Sequence, residues 1–118
     1  MALTFHEICV DAVDPSALGV WWSKVLGWPH EIDDDGDVVL QAPPGAGPSW
    51  IFLGVPGSKK VVKNRIHFDF RPDEQQVEVD RLIGLGARRV DVGQGVDASW
   101  VVLSDPEGNE FCILASDL

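Results

Sequence analysis

Ionisable and sulfur-bearing side chains recur at alternate positions in three separate stretches of this sequence. Residues 65–71 alternate strictly, with phenylalanine and isoleucine on one side and charged side chains or an imidazole on the other. A period of two is typical of a strand that has one apolar face. The same alternation of apolar and polar residues occurs near both ends of the chain. The polar sides of the three stretches carry Glu7 and Cys9, His67 and Asp69, and Glu110 and Cys112.

These side chains share one face of a sheet if helices cover the apolar face. An imidazole with one or two carboxylates suits divalent Fe, Mn, Ni or Zn and leaves positions open for a substrate. Structural roles stay open: a strand histidine is more often a hydrogen-bonded structural residue, and Glu7 could form a buried ion pair with Arg65 or Arg71. Both cysteines also fit as small buried hydrophobes. The apolar walls of such a pocket would come from Phe5, Trp50 and Trp100.

The elements that must position these residues occur twice. Asp14-Pro15 predicts a helix start and Gly27 its end, with apolar residues at helical spacing between them. A second helix of equal length is predicted from Asp73 to Gly86, with Val79, Leu82 and Ile83 on its buried side. The sequence Val-Val-Leu, followed at the same offsets by Pro and Gly, recurs at residues 38–45 and 101–108. We therefore predict an α+β domain of two βαβββ modules with helices on the outer face, about 1–57 and about 64–118.

Composition limits the possible partners. A chain of 118 residues is one domain, and its net charge of −10 argues against nucleic acid or an anionic membrane. The N-terminus has no basic region ahead of an apolar one, and the two cysteines lie at opposite ends, so free thiols in the cytoplasm are expected. Lys59, Lys60 and Lys63 are expected in a solvated loop. The acidic residues 33–35 predict a hairpin turn, because the spacing of a calcium loop is absent.

Two motifs resemble a known family. Lys63-Asn64-Arg65-Ile66-His67 and the stretch from Asp105 to Cys112, together with a helix ending in Trp-Ser-Lys-Val-Leu-Gly, are similar to the vicinal oxygen chelate superfamily. The likeness covers nearly the whole chain and is to its short glyoxalase-like domain proteins. It implies an open, cupped, barrel-like sheet and commonly a homodimer. Active members hold a divalent metal and act on adjacent substrate oxygens, as lyases or dioxygenases; others, of the bleomycin-resistance type, bind a small molecule without metal.

The resemblance also assigns site residues. His67 falls on the metal histidine of the second module, and Glu7 falls on the first-strand ligand, which is usually His or Gln. Cys112 occupies the last-strand position that usually carries Glu, while Glu110 lies two residues earlier on the same face. A thiolate there favours softer metals such as Zn, and a pocket without metal fits as well. The remaining pocket candidates are Phe5, Cys9, Trp50, Asp69 and Trp100.

Overall fold

The computed structural model describes residues 3–57, 60–91, 93, 95 and 97–116. The chain divides into two compact units, residues 1–59 and 60–118, and each contains a strand, a helix and three strands in that order. The α+β class and the duplicated βαβββ module are therefore confirmed. The first unit contains β1 (Glu7–Ala12), α1 (Pro15–Leu26), β2 (His30–Ile32), β3 (Val38–Leu40) and β4 (Ser49–Gly54). The second contains β5 (Phe68–Phe70), α2 (Gln75–Gly84), β6 (Arg88–Arg89), β7 (Val101–Ser104) and β8 (Glu110–Ile113).

Both units have the same sheet topology. The strand order is β1-β4-β3-β2 in the first unit and β5-β8-β7-β6 in the second. In each unit the first strand runs parallel to the last, and the other neighbours are antiparallel. In the second unit this pairing sets Asp69 of β5 directly beside Cys112 of β8. Directly paired residues project from the same face of a sheet, so the topology brings these two side chains together.

Helix α1 begins and ends where the sequence predicts. The Asp14 carboxylate accepts a hydrogen bond from the Ala17 N–H at 3.1 Å, and Pro15 occupies the first helical position. Gly27 ends the helix with a left-handed φ of 70°, which glycine adopts without strain. Neither α1 nor α2, the helices among the described residues, has the length and apolar composition needed to cross a membrane.

Aromatic packing fills the core of the first unit. Trp22 of α1 packs on Trp50 of β4, with ring centroids 5.1 Å apart, and Phe52 extends the cluster along β4. Trp50 is therefore part of the core beneath α1, with only 5% of its surface exposed. This corrects its assignment to a ligand pocket. Trp50 is the direct partner of Ile8 of β1 in the sheet, so both side chains project from the same face.

Gly19 lies where α1 approaches β3 most closely. A Cβ at this position would lie 2.5 Å from Val38 Cγ1, well inside ordinary van der Waals contact. We expect Gly19→Ala to lower the free energy of unfolding by about 1–2 kcal/mol, because overpacking outweighs the better helix propensity of alanine. Gly84→Ala, at the end of α2 where a Cβ meets nothing within 4 Å, is the matched control and should stabilise by up to about 1 kcal/mol. Urea unfolding measures both, and equal effects would contradict the close packing.

The second unit buries its apolar side chains between α2 and β8. Val79 and Leu82 of α2 are buried, and Phe70 packs edge-to-face on Phe111 with centroids 6.0 Å apart. The prediction of a buried Ile83 is wrong, since this side chain is 39% exposed on the flank of the helix. Ile66 was expected on the helix-facing side of a strand, but β5 begins only at Phe68 and Ile66 is 79% exposed.

Candidate functional site

A cavity of about 420 Å³ opens on the second unit. Alternate residues of β8 determine its position: Phe111 and Ile113 belong to the core, while Glu110, Cys112 and the following Leu114 line the cavity. Polar side chains from β5 and β8 thus lie on its floor, and apolar ones form a wall. The polar group is His67, Asp69, Glu110 and Cys112, with Lys63 and Asn64 beside it; the apolar group is Trp100, Val102 and Leu114.

Three of these side chains form a tight cluster. His67 Nδ1 lies 3.3 Å from Asp69 Oδ1 and 3.8 Å from Cys112 Sγ. The three potential ligand atoms all lie within 4.8 Å of one another. The side chains of His67 and Asp69 are 42% and 48% exposed, whereas Cys112 is buried and only 5% exposed. The cluster is therefore accessible from the cavity and closed beneath by the sheet.

The local electrostatics favour a protonated thiol. Burial, then the charge of Asp69 and a hydrogen bond to it, raise the pKa of Cys112 to about 11, while Lys63 acts weakly in the opposite direction. In protein without a bound cation, Cys112 is therefore a neutral thiol at physiological pH. A divalent metal reverses this preference, because cation binding displaces the thiol proton.

Glu110 has a structural partner on each carboxylate oxygen. Lys60 Nζ donates to Oε2 at 2.6 Å, and the backbone N–H of Asn64 donates to Oε1 at 2.8 Å. Burial raises the pKa of Glu110, but the hydrogen bonds from Lys60 and Asn64 and the charge of Lys60 outweigh it, so the net pKa is lowered. Both oxygens of Glu110 therefore already accept hydrogen bonds, and its assignment as a metal ligand stays a prediction.

The expectation that Lys60 is solvated is also wrong. Its ammonium group donates to Glu110 and, at 2.9 Å, to the backbone carbonyl of Gly108. This contact joins the start of the loop before β5 to the turn before β8. No period or motif in the sequence predicts this contact, because Lys60 and Glu110 are fifty positions apart and Lys60 lies in a loop. Lys63 is exposed near the cavity, and Lys59 lies outside the described residues.

The candidate residues of the first unit lie on and before β1. Glu7 and Cys9 project from the same side of the strand, and Cys9 Sγ lies 3.9 Å from Glu7 Oε1. Phe5 precedes the strand and is 74% exposed. Cys9 and Cys112 are both free thiols. Metal ligation by Glu7 and pocket roles for Phe5 and Cys9 stay predictions.

A second acidic group lies in the β2–β3 hairpin. Asp33, Asp35 and Asp37 bring carboxylate oxygens within 4.8 Å of one another. Asp33 Oδ1 accepts hydrogen bonds from the backbone N–H groups of Asp35 and Asp37, each at 3.0 Å, and Gly36 has a φ of 85°. The Asp33 carboxylate therefore stabilises a tight turn, which is the structure predicted for this segment.

Residues 7–114 match the family model described as the glyoxalase-like domain. The chain belongs to this family and, with it, to the vicinal oxygen chelate superfamily. None of the curated proteins compared matches this sequence.

Three solved structures illustrate the range of proteins that share the fold. The oxidase ChaP-H2 is 17% identical, with a TM-score of 0.68 over 98% of this chain and 94% of its own. The trypanothione-dependent glyoxalase I of Leishmania major is 12% identical, with a TM-score of 0.68 over 98% and 88% of the two chains. TnmS3, an antibiotic-binding protein from Streptomyces sp. CB03234, is 18% identical, with a TM-score of 0.65 over 98% of both. At these identities the likeness shows the fold alone.

Proposed function

We propose that this protein binds a small molecule with two neighbouring oxygen atoms in the cavity of the second unit. The observation that carries the proposal is the convergence of His67, Asp69 and Cys112 on the floor of a cavity that Trp100 partly walls. A concave apolar site with a few converging polar groups is the usual form of a small-molecule site.

The lining suggests how the ligand is held. Trp100, Val102 and Leu114 offer an apolar surface to its carbon skeleton. His67 offers a ring nitrogen. The exposed Lys63 supplies a positive charge that would stabilise negative charge on the oxygen atoms of the ligand. The ligand class supported is therefore a compact molecule that is apolar on one side and oxygen-rich on the other.

Metal-dependent chemistry is the first version of the proposal. His67, Asp69 and Cys112 provide nitrogen, oxygen and sulfur donors within 4.8 Å, a set that fits a divalent cation such as Zn. A bound cation would supply Lewis acidity to adjacent ligand oxygens, as lyase or dioxygenase reactions of this superfamily require. In that role the three side chains hold and orient the cation, and the apolar wall limits the access of water.

Metal-free sequestration is the second version. It is favoured by the raised pKa of Cys112, which keeps the thiol neutral and the cavity floor uncharged at that position without a cation. It is also the version suggested by the antibiotic-binding neighbour TnmS3. In this version Trp100 and Leu114 provide most of the contact area, and the polar floor orients the ligand by hydrogen bonds.

The indole N–H signals of the five tryptophans provide a direct test. In ¹H–¹⁵N spectra, the signal lost in Trp100→Phe is that of the cavity tryptophan. The signal lost in Trp28→Phe is that of a tryptophan in the first unit, which serves as the control. We expect catechol, tropolone or acetohydroxamate to shift the Trp100 signal and leave the Trp28 signal unchanged. A shift only after zinc addition supports the metal-dependent version, and an equal shift in EDTA supports sequestration. Shifts confined to first-unit signals would contradict the proposal.

Assembly and location complete the proposal. The family resemblance implies a homodimer, and light scattering should then give twice the mass of one chain. A monomer at micromolar concentration would contradict it. Cytoplasmic location is proposed from the two free thiols, and fractionation of expressing cells tests it.

A further inference from the structure

We propose that Asp69 is the carboxylate ligand of a divalent-metal site that the second unit builds by itself, together with His67 and Cys112. The inference rests on the proposed function in that it assigns the cation to the same cavity. It replaces the ligand set expected from the sequence, in which Glu7 and Glu110 supplied the carboxylates and Asp69 only lined the pocket.

The distances between donor atoms carry the first argument. Zinc bonds of about 2.0–2.3 Å at tetrahedral angles place neighbouring nitrogen and oxygen ligands roughly 3.4 Å apart, and nitrogen and sulfur ligands roughly 3.6 Å apart. The observed separations are 3.3 Å from His67 Nδ1 to Asp69 Oδ1 and 3.8 Å from His67 Nδ1 to Cys112 Sγ. Little rearrangement would therefore be needed for the three atoms to share one cation.

Hydrogen bonds bring the same three atoms together. With a proton on Nδ1, the imidazole donates to Asp69, and the Cys112 thiol also donates to this carboxylate. A divalent cation would take the place of these two protons and keep the three donor atoms close to their present positions.

The remaining carboxylate of the cavity is not available in the same way. Both oxygens of Glu110 are held by Lys60 and by the Asn64 N–H. Recruiting Glu110 to a metal would break an ion pair that is mostly buried, whereas Asp69 is 48% exposed and already faces the imidazole. Asp69 is therefore the carboxylate with the lower energetic cost of ligation.

The donor types indicate the metal. One thiolate, one imidazole and one carboxylate suit zinc, and three protein ligands leave a fourth position for a ligand oxygen. Cobalt(II) takes the same geometry, and its thiolate charge-transfer band reports whether sulfur is bound. The cation and its spectroscopic substitute can thus be tested without any knowledge of the natural substrate.

The experiment measures zinc affinity of the full chain by competition with a chromophoric chelator, and the cobalt spectrum of the same samples. We expect one zinc per chain and a thiolate–cobalt band. Asp69→Asn, which preserves the shape of the side chain and one acceptor oxygen, should weaken zinc binding by at least about 100-fold, since even outer-shell changes cost about 10–100-fold. Cys112→Ser should abolish the charge-transfer band. Asp80→Asn, an exposed carboxylate on α2, is the matched control and should bind zinc like the unmodified chain.

Three results would overturn the inference. The first is that the unmodified chain does not bind zinc stoichiometrically. The second is that Asp69→Asn keeps the full zinc affinity. The third is that Glu7→Gln loses zinc while Asp69→Asn retains it. Circular dichroism and thermal unfolding of each variant separate lost ligation from lost folding. Ligand shifts of the Trp100 indole in EDTA would leave the proposed small-molecule binding standing even if the metal site failed.

Discussion

Replacing Lys60 with methionine should lower the free energy of unfolding by about 2–4 kcal/mol. The change removes the ammonium group from Glu110 Oε2 and from the Gly108 carbonyl, and leaves a carboxylate that is only 8% exposed without its cation. Breaking a buried ion pair costs about 3–5 kcal/mol, and the 27% exposure of Lys60 reduces that value. Urea denaturation followed by circular dichroism measures the loss.

An exposed ion pair in the same unit provides the control. Arg81 pairs with Glu78 at 3.0 Å on the surface of α2, so Arg81→Met should cost no more than about 1 kcal/mol. Adding Glu110→Gln to the Lys60 variant should recover part of its loss, because no charge is then left unpaired. Equal losses in the Lys60 and Arg81 variants would contradict a buried structural pair.

The stability difference between the unmodified chain and Lys60→Met should also depend on pH. The pKa of Glu110 is lowered in the folded protein from its ordinary value of 4.5, by interactions that include Lys60. A carboxyl group whose pKa is lower in the folded state stabilises the fold fully at pH values above its unfolded-state pKa. This contribution is lost as the pH falls through the folded-state pKa. The difference in free energy of unfolding between the two proteins should therefore be complete at pH 6–7 and should decrease below pH 4.5. A constant difference from pH 7 to pH 3 would show that Glu110 is not the partner.

Alkylation should distinguish the two thiols by a large factor. In chelator-treated protein at pH 8, Cys112 should react with iodoacetamide at least about 100-fold more slowly than an ordinary thiol. A pKa of about 11 against an ordinary 9.0 lowers the thiolate fraction by that factor, and burial lowers the rate further. Its rate should rise about tenfold per pH unit up to pH 10. Mass spectrometry of peptides containing Cys112 and the exposed Cys9 measures both rates in one sample.

Asp69→Asn tests the cause of this difference. The charge of Asp69 and a hydrogen bond to it both raise the pKa of Cys112, so the variant should be alkylated faster at Cys112 and unchanged at Cys9. If Cys112 reacts as fast as Cys9 in the unmodified chain, the thiol is neither buried nor shifted as described.

Strand parity and repetition made most of the fold predictable from the sequence. The matching Val-Val-Leu segments and the two capped helices were enough to predict both βαβββ modules, because local signals define these elements. Parity also put His67, Asp69 and Cys112 on one side of a sheet, and the structure brings them to one cavity. Alternation predicts which face of a strand a side chain occupies, and this was sufficient for Asp69 on β5, for Cys112 on β8 and for His67 just before β5.

Parity alone did not identify which side chains meet. Trp50 was assigned to the pocket by its type, but its register beside Ile8 puts it under α1. Lys60 was expected in a solvated loop because nothing local indicates that it pairs with Glu110, fifty residues away. The closeness of Asp69 to Cys112 depends on the parallel pairing of β5 with β8, which no local pattern reveals. Each of these contacts joins residues far apart in sequence.

The parallel pairing of β5 and β8 has a consequence for redesign of this protein. Because Asp69 and Cys112 are direct partners in the ladder, backbone hydrogen bonds set the distance between their Cα atoms, and side-chain packing does not. The two positions therefore act as fixed attachment points on neighbouring strands. Cys112→Glu would convert a soft donor into a hard one on the same scaffold. A single codon change at either position would therefore alter the donor set of the proposed cation site.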